Sequence, residues 1–140
     1  MKPKLAPFQL ASHMISSVVF EVKAEFGNVE LRPDFSIEPE YEILQGEDVL
    51  QGSLSLDVAF KLRKGRRILI RFECMAKGFF TAHKTITRDQ FVRFLKHSGT
   101  PILLQIVRSF LISLSSQAGL TPPLLIPLVD STKLYDTSLE

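Results

Sequence analysis

Two runs of strict alternation flank a single glycine, and they constrain this chain more than any other feature. In "SLSLDVAFKL", Leu54, Leu56, Val58, Phe60 and Leu62 alternate with Ser53, Ser55, Asp57, Ala59 and Lys61; after "RKGRR", Ile68, Ile70, Phe72, Cys74 and Ala76 repeat the pattern. A period of two is that of a β-strand with one face buried. Gly65 supplies the backbone freedom of a tight turn, so the two runs predict an antiparallel hairpin.

Two further strands precede it. "MISSVVFEVKA" puts Met14, Ser16, Val18, Phe20, Val22 and Ala24 on one face. "FGNVELRPDF" then bends or crosses over at Gly27, Asn28 and Pro33 before "SIEPEYEIL" sets Ile37, Tyr41 and Ile43 opposite Glu38, Glu40 and Glu42. Pro39 has no N–H to give a ladder, so this strand is an edge or is bulged. After the strands, "TRDQ" matches a capping box, Thr87 with Gln90, and opens a short helix bearing Phe91, Phe94 and Leu95. Gly99 is read as its stop, Thr100 as the N-cap and Pro101 as the first residue of a long helix to Ala118, closed by Gly119. The prolines at 122, 123 and 127 keep the next segment extended.

The 140 residues suit one domain, with an N-terminal arm over 1–12, the domain over 13–130 and a C-terminal tail over 131–140. With no Trp, the 11 Phe supply most aromatic packing. Residues 100–128 are the one stretch apolar enough to raise a membrane span, which takes about 20 apolar residues. At helical spacing, however, Leu103, Val107, Phe110, Leu111, Leu114 and Ala118 share a side opposite Gln105, Arg108, Ser109, Ser113 and Ser116, the pattern of an amphipathic soluble helix and not of membrane insertion. A single cysteine excludes an intrachain disulfide framework and fits a reducing compartment. The N-terminus lacks the apolar run of a signal peptide, and the expected location is cytoplasmic.

Catalytic chemistry finds little support. His13, His83 and His97 share no metal-ligand spacing, so no metal or cofactor is expected, and Cys74 sits on a core face as an inert thiol. Glu38, Glu40 and Glu42 are accounted for by strand alternation. The basic run Lys61, Arg63, Lys64, Arg66 and Arg67 has the charge to grip phosphates or another small ligand, yet no aromatic platform is interleaved with it, and with a net charge of only +2 a solubilising turn is favoured over nucleic acid. What stands out is an apolar surplus outside the regular elements: Phe26, Val29, Leu31 and Phe35, then Leu120, Leu124, Leu125, Ile126 and Leu128. These either cap the sheet or form an exposed patch for self-association or a ligand.

Four strings in order resemble the SecB family of protein-export chaperones: "VVFEVKA" with Phe20 and Glu21, "PDFSIEPE" with Phe35, "FECMAKGFF" with Gly78 and Phe80, and "PILLQIVRSFLISLSSQAGLTPPLLIPLVD" with Arg108. The resemblance spans most of the chain. It implies an α+β subunit, a four-stranded antiparallel sheet with a crossover between strands one and two and helices on one side, assembled as a dimer of dimers through its helices. Gln105, Arg108 and Ser109 would then face subunit contacts. It also implies a homotetrameric, non-enzymatic, ATP-independent holdase that binds unfolded or partly folded polypeptides in apolar grooves, with Phe26, Leu31, Phe35, Leu120, Leu124, Leu125 and Ile126 in the groove-forming regions. For docking of the SecA motor, Glu21 and Glu73 match the family's outer-face carboxylates, whereas Ser17 replaces the first acid and Arg71 stands where an apolar residue is expected. Two roles follow, delivery to the export motor and protection of an antitoxin in a toxin-antitoxin pair. Export is the leading expectation, and the slightly basic balance and the altered acidic patch raise the second. The short tail leaves the family's second helix truncated or missing.

Overall fold

A computed structural model describes residues 2–23, 30–45 and 49–135. Four strands, β1 (Phe8–Val22), β2 (Arg32–Gln45), β3 (Leu50–Lys64) and β4 (Arg67–Ala82), make one antiparallel sheet in the order β1-β4-β3-β2. The β3–β4 turn is tight because Gly65 takes a φ of 62°, which a side chain would disfavour. Since β1 pairs with β4 and not with β2, the chain crosses from one sheet edge to the other between them. β2 is therefore an edge, and Pro39 is accommodated there in unbroken register opposite Leu56.

The alternation of the central strands holds except beside the hairpin, where a register shift between Leu62 and Arg63 puts Ile68, expected on the core face, opposite Arg63 and buries Leu69 next to Ile70. Leu54, Leu56, Val58 and Phe60 of β3 and Ile70, Phe72, Cys74, Ala76, Phe80 and Ala82 of β4 are buried on the covered face. β1 departs from the simple pattern. Val18, Phe20 and Val22 oppose Cys74, Phe72 and Ile70 as expected, but Met14 pairs with Lys77 on the other face. A bulge between Ile15 and Ser17 inserts one residue and inverts the parity of Ser12 to Ile15, and a second shift between Leu10 and Ser12 restores it, so that Leu10 and Phe8 oppose Phe80 and Ala82. The strand also reaches back to Phe8, into the segment expected as an arm. There the Phe8 ring stacks on Phe80 at 5.0 Å and on Phe94 at 5.5 Å. Arg32 to Phe35, expected in the crossover, belong to β2, while Ala24, Phe26, Gly27, Asn28 and Val29 lie outside the described residues.

The helical region is one rod, not two helices. Thr87 and Gln90 form the capping box, with Gln90 N donating to Thr87 Oγ1 at 3.2 Å and Thr87 N to Gln90 Oε1 at 3.0 Å. α1 (Arg88–Phe94) then runs through a π-helical turn (Leu95–Gly99) straight into α2 (Thr100–Gln117). Pro101 has no N–H for the carbonyl four residues back, and the wider turn before it absorbs this without a break. Gly99 is helical, with φ −65°, and its bare Cα serves a close approach: an added Cβ would lie 3.3 Å from Phe80 Cζ and 3.4 Å from Leu54 Cδ2. Nor is Thr100 an N-cap. It is fully buried, its hydroxyl 2.6 Å from that of Tyr135.

Leu103, Leu104, Val107 and Leu111 of α2 pack on the sheet, and Gln105, Ser109, Ser113 and Ser116 face outward. By length and composition the helix Arg88–Gln117 is apolar enough to cross a membrane; its buried stripe accounts for those aliphatics within the fold. Beyond it, the described residues contain only a 3₁₀ turn (Ser131–Leu134). Tyr135, bonded to Thr100, packs the first part of the expected tail against the domain.

Candidate binding cleft

α2 ends in a left-handed glycine cap. Gly119, at φ 93°, donates to Ser116 O and Leu120 donates to Ser115 O, both at 3.0 Å, which turns the chain back over the sheet. The proline-rich segment that follows can join neither a helix nor a ladder, and it is held by side chains of α2. Ser115 Oγ, fully buried, donates to Leu111 O at 2.7 Å and accepts from Leu124 N at 2.9 Å. Arg108 Nε donates to Ile126 O at 3.0 Å, while its Nη1 donates to Gln105 Oε1 at 3.2 Å. Being extended, the segment alternates: Leu124 is half-buried against the core, Leu125 is 59% exposed and Ile126 is 1% exposed.

Between this segment and the sheet lies a cleft of about 440 Å³. Its floor is Leu31, Pro33, Phe60 and Leu62, and its wall is 120–125 with Pro127. No ionisable side chain lines it. Of the residues expected in a groove, Leu31, Leu120, Leu124 and Leu125 meet here. Ile126 does not: it is a core anchor, because alternation turns it inward where Arg108 holds its carbonyl. Phe35 packs edge-on against Phe60 at 6.3 Å and lies outside the lining, and Phe26 is outside the described residues. Pro33, Phe60 and Leu62 were not foreseen, since their alternation reads as ordinary core. A second depression of about 550 Å³ opens at the opposite end of the sheet, where Leu5 and Val49 are exposed beside His83.

Gln105 and Ser109 are exposed, but Arg108 is spent within the chain as the latch on Ile126. On the uncovered sheet face, Glu21 stands opposite Arg71 in β1–β4 register. Glu73 is tied down: Arg71 Nη2 reaches its Oε2 at 3.1 Å and Lys61 Nζ its Oε1 at 3.8 Å. The Arg71 hydrogen bond holds the Glu73 carboxyl below the usual carboxylate range. The two carboxylates therefore do not form an open acidic patch.

Among the described residues, no three His, Cys, Asp and Glu side chains come close enough to hold a metal ion. His83 Nδ1 lies 3.1 Å from Thr85 Oγ1, and His97 meets the Tyr135 ring edge-on at 6.2 Å. Cys74 is buried, and desolvation pushes its thiol up to about 11, which makes it a poor nucleophile. What the arrangement can do is bury apolar side chains presented to it.

Sequence comparisons give no match: no protein-family model fits the chain, and no curated protein matches it. Structure does. The Mycobacterium tuberculosis SecB-like chaperone Rv1957, solved in complex with a ChAD peptide from the Rv1956 HigA1 antitoxin, superposes with a TM-score of 0.71 at 14% identity, over 88% of this chain and 91% of that one. This chain has a SecB-like fold. A protein of unknown function from Streptococcus agalactiae is also similar, with a TM-score of 0.52 at 9% identity over 86% of this chain and 97% of that one. At such identities the likeness is one of fold alone.

Proposed function

We propose that this chain is a non-enzymatic, ATP-independent holdase of SecB type, cytoplasmic and assembled as a dimer of dimers, which holds non-native polypeptides in the cleft beside the proline-rich segment. The observation that carries this reading is an uncharged, aliphatic cleft with Leu125 standing 59% exposed at its wall. Unfolded chains present aliphatic and aromatic side chains, each gaining about 25 cal/mol per Å² of apolar area buried, and folded proteins offer few of them. Protection of an antitoxin-like client is favoured over delivery to the SecA motor. The solved SecB-like neighbour holds an antitoxin peptide, and Glu73, one of two carboxylates expected to meet the motor, is neutralised by Arg71 and Lys61.

The test is suppression of aggregation of a chemically unfolded reporter by stoichiometric amounts of the chain without nucleotide, with the mass of the assembly measured alongside. Leu125→Ser, at an exposed position, is expected to change fold stability by less than about 0.5 kcal/mol while weakening suppression. A monomer that suppresses nothing overturns the reading.

A further inference from the structure

We propose that the cleft selects extended polypeptide segments whose aliphatic stretch is flanked by acidic residues, which the β3–β4 hairpin receives through Lys64, Arg66 and Arg67. This rests on the reading of the cleft as a polypeptide site and names the class of client. Strand alternation carries the cleft floor outward along β3: Phe60 and Leu62 line it, and Lys64, the next residue on that face, lies about 7 Å further on. Lys64 pairs across the hairpin with Arg67, and Arg66 is in the turn between them. All three are exposed, and none forms an ion pair with another of the described residues.

The contrast with the uncovered face of the same strands is what gives these charges meaning. There Arg63 is bound by Asp34 at 2.7 Å, and Lys61 and Arg71 share Glu73. Lys61, Arg63 and Arg71 on that face each have a carboxylate within 4 Å, and among the described residues Lys64, Arg66 and Arg67 have none. Glu30 is the one carboxylate in the described stretch 30–33, and the wall, 119–129, carries no charge at all. An extended client covers the distance from Leu62 to the hairpin in two or three residues, so its apolar part and its acidic flank are received together. A nucleic acid gains nothing from the aliphatic floor and finds no aromatic on the hairpin to stack on.

The experiment is fluorescence anisotropy on the full chain with three labelled peptides that share one Leu/Val/Phe core and carry glutamate, serine or lysine flanks. At low ionic strength the glutamate-flanked peptide is expected to bind about tenfold tighter than the serine-flanked one, the worth of two or three exposed ion pairs, and added salt should erase the difference. Combined Lys64→Glu, Arg66→Glu and Arg67→Glu should move the preference to the lysine-flanked peptide and leave serine-flanked affinity within about twofold. If the triple variant fails to fold, Arg66→Glu alone, at the turn, should reduce the glutamate advantage by about twofold. A serine-flanked peptide that binds while flank charge changes nothing overturns the selectivity and leaves the cleft reading intact. Absence of binding by any of the three removes both. An oligonucleotide that binds through the hairpin more tightly than the glutamate-flanked peptide overturns the proposal in favour of nucleic acid.

Discussion

Ser115→Ala tests whether the cleft wall is held by the hydroxyl at its root. Ser115 is fully buried in the last turn of α2, and its Oγ is the acceptor for Leu124 N at 2.9 Å. Removing it leaves that N–H without its partner at a part-buried site, a cost of about 1–3 kcal/mol. Alanine is the better helix former by about 0.5 kcal/mol, which partly hides the loss. Ser116→Ala provides the correction, because Ser116 is exposed on the same helix and gains the same propensity with nothing to lose. The two variants should therefore differ by about 1–3 kcal/mol. At a urea slope of about 2 kcal/mol per M this separates their midpoints by about 0.5–1.5 M, read at one protein concentration. Client-peptide anisotropy should show weaker binding by Ser115→Ala alone, since Leu124 and Leu125 lose their anchor. Equal midpoints for the two variants, at unchanged slope, would refute the reasoning.

Gly52→Ala should destabilise the domain by about 1–3 kcal/mol, measured by urea unfolding, because a Cβ there would sit 2.8 Å from Phe91 Cε1 and 3.1 Å from the backbone oxygen of Glu42. Thr87→Ala removes the capping hydroxyl and should cost about 1 kcal/mol, visible in the same assay. The Glu73 carboxyl titrates below its ordinary value in the fold, so the stability it confers is present above the unfolded value and is lost as pH falls through the folded one. Glu73→Gln is accordingly expected to melt below the parent at neutral pH, with the two converging in acid. Cys74, its thiol raised to about 11, should resist a thiol reagent at neutral pH and react at the rate at which the chain unfolds; prompt reaction of the folded protein would contradict its burial.

Local signals were legible where the decisive contacts are local. The β3 and β4 runs belong to central strands with one covered face, so alternation names their buried residues except beside the hairpin, where a register shift buries Leu69 in place of Ile68. Thr87 with Gln90 and the Gly119 cap are satisfied within a few residues of themselves, and both were readable. Gly99 was not. A glycine that stops a helix and one that lets a helix approach Phe80 and Leu54 look alike until the sheet is in place. The parity of Met14 likewise depends on a bulge that no alternation announces. Within the cleft, an apolar surplus picked out Leu31, Leu120, Leu124 and Leu125. The choice of Ile126 as anchor and Leu125 as exposed neighbour was set from a distance, by the tethers to Ser115 and Arg108.

Those tethers also explain why an apolar segment of this kind remains beside the sheet without sealing onto it. Prolines at 122, 123 and 127 remove three backbone donors, so 120–128 can add to neither the sheet nor the helix. Ile126 in the core, the Arg108 latch and the Ser115 bond hold it at one end of the cleft and leave Leu125 and Leu128 outward. On the proposed reading, a client would meet a floor fixed in β3 and a wall whose tethers are two hydrogen bonds and one isoleucine.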